Sequence, residues 1–122
     1  MACAKRIESA GDYRDVRTAA RYSEYFLHIL TGRKSVEGAR QLATRPGWVA
    51  FATVRRRLPA RFHNVSIRKA ICPRPDTAEI IARLDNGRIA RTLTLTFQAT
   101  PRGWRLDHCD LLQPASRPRR RI

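Results

Sequence analysis

At 122 residues the chain has room for one domain with a single core, large enough not to need disulfides or a metal to hold it. Its 25 Lys and Arg against 10 Asp and Glu give a formal charge of +15 at pH 7, a field that attracts polyanions: nucleic acid, an anionic membrane surface or an acidic protein face. No run approaches the roughly 18 apolar residues of a membrane span. Cys3, Cys72 and Cys109 are odd in number, far apart and without C-x-x-C spacing, which predicts free thiols and, with no apolar stretch behind the first basic residues, an unprocessed cytoplasmic protein.

Residues 1–11 read as a disordered leader. From Asp12 onward Val16, Ala19, Ala20, Ser23, Phe26, Leu27 and Leu30 recur at helical spacing, with Asp12 suited to cap the start and Gly32 the left-handed position past the end. Ser35 with Val36, Ala39 and Leu42 predicts a short second helix. Thr44 and Pro46 open a third, with Trp48, Phe51, Val54 and Leu58 on its inner side before Pro59 stops it.

The second half reads as sheet, with strands expected over 62–71, 78–85, 88–99 and 103–112. Pro73 and Pro75 bracket the first connection, and Thr100 to Gly103 make a tight third one. Between them Asn86-Gly87 predicts a two-residue type I′ turn. That turn sets Asp85 against Arg88, Leu84 against Ile89, Ile80 against Leu93 and Ala78 against Leu95, placing the apolar residues on one face. Glu79, Ile81, Arg83, Thr92, Thr94 and Thr96 fall on the other. The expected fold is α+β: three N-terminal helices packed on a four-stranded antiparallel meander, a cone-like two-layer domain over 12–113, monomeric, with a basic disordered tail over 114–122.

The charge is concentrated. Residues 33–74 hold eleven basic side chains against Glu37 alone, and the tail adds four arginines without an acid. The candidate partner-binding residues are therefore Arg33, Lys34, Arg55, Arg56, Arg57, Arg61, Arg68 and Lys69, with Arg117, Arg119, Arg120 and Arg121. Because 22 of the 25 basic residues are Arg, the composition of a GC-rich genome is the competing explanation. Three consecutive arginines before Pro59 fan over more than half a helix circumference, so at least one must face the domain or a partner. Trp48 and Phe51 serve either as core or as stacking platforms. The threonine row lacks the aromatics that a single-strand-binding sheet needs.

Gly32-Arg33-Lys34 after a long helix, then P-R-P-D-T-A-E over 73–79, N-G-R-I-A-R-T-L-T-L over 86–95 and G-W-R-L-D-H-C-D-L-L over 103–112, come in an order that resembles a family of small, uncharacterised actinobacterial proteins rich in alanine, arginine and proline. The resemblance covers roughly residues 13–113. It departs at His108-Cys109, where the family tends to place Cys-Thr. The family's genes often neighbour that of the Sec preprotein translocase ATPase, so the resemblance implies a link to protein export. Helices followed by a curved meander also look like the cone of nuclear transport factor two-like domains, which are enzymes in some branches and binding modules in others. The membrane-docking component of the mitochondrial import motor resembles that cone as well.

Asp107, His108 and Asp110 are the one dense group of titratable residues. Strict alternation puts His108 and Asp110 on the face of Trp104 and Leu106, where a His-Asp pair can act as base and orienter, with Asp107 on the other face. His28 and His63 have no metal-ligand spacing, and there is no Gly-rich phosphate loop, G-x-S-x-G or H-E-x-x-H. The reading is a non-enzymatic accessory protein, without cofactor or metal, that binds an acidic protein surface, suspected to be that of the translocase ATPase. An RNA- or ribosome-binding module is the first alternative, and a small-molecule-binding or catalytic domain using His108 and Asp110 the second.

Overall fold

The structure is a computed structural model that describes residues 10–112. Two α-helices, α1 (Ala10–Leu30) and α2 (Arg45–Arg57), with a short 3-10 turn (Ala39–Leu42) between them, precede four strands: β1 (Asn64–Arg74), β2 (Thr77–Asp85), β3 (Ala90–Thr100) and β4 (Gly103–Leu111). The strands pair antiparallel in chain order. Both helices lie on one face, α1 over β1 and β2 and α2 over β4, so the two-layer α+β architecture expected from the pattern is present.

Three helices were expected and two are found. Gly38 in the left-handed region (φ 86°) interrupts residues 35–42 and leaves only the 3-10 turn. Immediately afterwards Ala43 is drawn extended into a parallel bridge with Leu106, and the Thr44 N–H donates to the Leu106 carbonyl at 2.8 Å. Four residues between a left-handed glycine and an extended bridge cannot complete an α-helical turn and its neighbours. At its other end α1 already includes Ala10, so Asp12, expected at the start, falls within the helix. Gly32 (φ 79°) behaves as expected: its N–H donates to the Ile29 carbonyl, and that of Arg33 to the His28 carbonyl, the paired bonds of a Schellman ending.

Thr44 caps α2, its hydroxyl accepting from the Gly47 N–H at 3.1 Å, and Pro46 sits in the first turn. Leu58, ahead of Pro59, has ψ 128°, the extended geometry that a following proline imposes. The helices bury Ala19, Ser23, Phe26, Leu27, Leu30, Phe51 and Val54, as the spacing indicated, together with Ile29. Phe26 joins the layers, with its ring 5.0 Å from that of Phe51 and 6.3 Å from that of Phe97. Phe62, expected in the first strand, lies before it and is fully buried.

The β2–β3 hairpin keeps the expected faces but not the expected register. Asp85 pairs with Ala90, Leu84 with Arg91, Ile80 with Leu95 and Ala78 with Phe97. The connection is four residues long, because Asn86 does not adopt the positive φ that a type I′ turn requires at its first centre; among the described residues only glycines have positive φ. Its carboxamide oxygen instead accepts from the N–H groups of Arg88 and Ile89, both at 2.9 Å. A shift of two residues preserves side-chain parity, so Ala78, Ile80, Ala82, Leu84, Leu93, Leu95 and Phe97 all remain buried, whereas Ile89 is left in the turn and exposed. β1 runs on through Pro73 with register breaks after Ile67 and Ile71, tolerated because it is an edge strand.

Candidate functional site

β4 carries the decisive local feature. Thr96 pairs with His108 while Phe97 pairs with Leu106, so Asp107 is an extra residue bulged out of the ladder. The bulge reverses the alternation. Trp104, Leu106 and Cys109 face the core, and His108 and Asp110 do not join them as strict alternation would have it; both are exposed. Asp107 is held where it stands, its carboxylate accepting from the Thr44 hydroxyl at 2.8 Å. Gly47 lies against the same point, where a Cβ would fall on the Leu106 carbonyl oxygen. The first turn of α2 therefore touches the backbone of β4 at the bulge, an approach only glycine permits.

Beyond that contact a cleft of about 460 Å³ opens between the far half of α2 and the last residues of β4. Ala50, Thr53, Val54 and Arg57 line one side and His108, Cys109, Asp110 and Leu111 the other, with Pro59 and Arg91 closing it. The space between helices and sheet proper is occupied by Phe26, Phe51, Phe62 and Phe97, so the cleft lies at the sheet's edge and not at the centre of a cone. Cys109 forms part of its floor with 3% of its surface exposed, and burial, followed by the charge of Asp110, pushes its thiol up to about 12. At neutral pH it is protonated and unsuited to nucleophilic attack.

The basic residues do not form the single cluster that their sequence spacing suggests. All eight within the described residues are exposed. Arg55, Arg56 and Arg57 end α2 beside β4, whereas Arg68 and Lys69 lie on β1, the opposite edge strand. Three strand spacings, about 14 Å, separate these edges, more than the screening length of about 8 Å at physiological ionic strength. The expected fan is present: Arg57 turns to the cleft, while Arg55 and Arg56 border a shallower depression with Ala52. Arg33 donates to the His63 carbonyl at 2.9 Å, and the Lys34 ammonium stands 5.4 Å from the centre of the Tyr25 ring. The backbone of Arg61 is tied to the hairpin through the Asn86 carboxamide at 3.2 Å. Arg117, Arg119, Arg120 and Arg121 lie outside the described residues.

Trp48 packs partly buried on Phe51, with ring centres 5.9 Å apart, and Phe51 is fully buried, so both belong to the core. Among the described residues no group of three His, Cys, Asp or Glu could hold a metal ion, and no helix is long and apolar enough to cross a membrane. The expectation of free thiols holds for Cys109 but not for Cys72, which is disulfide-bonded; cysteine count and spacing do not report which thiols a fold brings together.

No family model, curated protein or solved structure matches this chain.

Proposed function

We propose that the protein is a non-catalytic accessory module that docks on the acidic surface of a partner protein through the end of α2 and the basic edge of β1. The observation that carries this reading is that Arg55, Arg57, Arg68 and Lys69 are exposed and engage no acidic side chain; the ion pairs among the described residues are Arg74–Asp76 and Arg83–Asp85. Cations at the C-terminal end of α2 also offset the helix dipole by a few tenths of a kcal/mol each, but that accounts neither for three in succession nor for those on β1. The separation of the two basic patches suits an extended partner that meets both edges.

A protein partner is favoured over RNA because the open face of the sheet presents Glu79, Ile81, Arg83 and the threonines, with no Phe, Tyr or Trp for a base to stack on and His108, opposite Thr96, as its single aromatic ring among the described residues. The resemblance to the actinobacterial family makes the Sec translocase ATPase the first partner to test. Residence in the cytoplasm does not follow from the cysteines, given the bonded Cys72.

The test measures binding of the full chain to the purified translocase ATPase and to single-stranded RNA across a range of salt. The expected result is saturable binding to the ATPase that weakens when Arg55, Arg56 and Arg57 are all changed to Gln, with a salt dependence shallower than that of counterion release from nucleic acid. Binding to RNA with a steep salt slope and none to the ATPase would replace this reading with the nucleic-acid one.

A further inference from the structure

Arg91 occupies an unusual register position. It precedes Leu93, Leu95 and Phe97 in the alternation of β3 and pairs with buried Leu84, so it stands on the helix-covered face of the sheet, half-buried at the rim of the core. Both it and Arg57 line the cleft beside β4, and among the described residues neither guanidinium is engaged in a hydrogen bond or ion pair. Holding a cation on an inward position without an acceptor is unfavourable, and an anion in the cleft would relieve that cost. The remaining walls are mixed, with Ala50, Val54 and Leu111 apolar and Asp110 at the edge. Two arginines against one aspartate leave a single net positive charge. At about 460 Å³ the space falls within the range of small-molecule sites.

We propose that this cleft binds small organic monocarboxylates, with the carboxylate held between Arg57 and Arg91 and the apolar body against Ala50, Val54 and Leu111. The guanidinium fork matches a carboxylate in two parallel hydrogen bonds, which an ammonium would not reproduce. The site does not depend on the docking surface described above.

The experiment titrates the full chain with phenylacetate and follows backbone amides by two-dimensional NMR, with phenylacetamide and inorganic phosphate in parallel. Saturable shifts at 91 and 108–111 are expected. The uncharged amide, and phenylacetate with the Arg91→Gln protein, should each bind about tenfold more weakly, as loss of a charge-assisted pair implies. Arg55→Gln, outside the cleft, should change affinity less than about twofold, and Arg91→Lys should fall between Arg91→Gln and the parent. Equal binding of phenylacetate and phenylacetamide, phosphate binding as tightly as phenylacetate, equal effects of Arg91→Gln and Arg55→Gln, or no saturation at tens of millimolar would each overturn the proposal.

Discussion

Gly47 lies at the closest approach between layers, where α2 rests on the Leu106 carbonyl with no room for a Cβ. Ala is the better helix former by about 1 kcal/mol, so in an isolated helix Gly47→Ala would stabilise. Here it must push α2 off β4, and we expect a net destabilisation on the order of 1–3 kcal/mol, as for other overpacked contacts, measured by urea unfolding. Cys109 gives a pH dependence. Its folded-state value, about 12 against 9.0 for a free thiol, means that between these values the unfolded chain binds fewer protons than the native one. Its contribution to stability is therefore complete below pH 9 and falls as pH rises toward 12, by up to about 1.4 kcal/mol per pH unit. The stability difference between the parent and Cys109→Ala should shrink over that interval; a difference independent of pH would show that the thiol ionises freely in the native state.

Among the elements, the β2–β3 hairpin separates turn chemistry from register. Asn86 holds the connection by accepting two backbone N–H groups, while the buried apolar row on each strand excludes any one-residue slip and the packed core favours the observed pairing. Asn86→Ala should accordingly cost about 1 kcal/mol for the lost bonds and leave Leu84 opposite Arg91. Cross-strand contacts between α-protons, measured by NMR, check this; a move to Leu84 opposite Ile89 would mean that the turn and not the core sets the register. The bulge in β4 works in the opposite sense, since one inserted residue, Asp107, exchanges which side chains face inward.

For the whole molecule the question is how a charge of +15 distributes its effect. Exposed charges steer encounter more than they set final affinity. Deleting residues 115–122, which contain four arginines, should slow association with an acidic partner, read from stopped-flow or interferometry traces. The dissociation rate and the melting temperature should hardly change. An unchanged association rate would show that the tail takes no part in capture, and a drop in melting temperature of several degrees would show that it packs on the domain.

The sequence alone determined what depends on neighbours a few residues apart. The Thr44 cap, the Gly32 ending, the stop at Pro59 and the inward sets of β2 and β3 were legible because capping, proline geometry and period-two alternation act within a single element. Tertiary structure decided whatever needed a distant partner. Ala43 becomes extended because Leu106, far along the chain, offers it a bridge, and the expected second helix shrinks to a 3-10 turn. His108 and Asp110 leave the inner face because Asp107 bulges where Thr44 and α2 press on β4. Arg55 and Arg68, close in sequence, part to opposite edges because the sheet lies between them. Arg57 and Arg91, never neighbours in the sequence, meet across a cleft because helix and strand each pack on the same core from different sides.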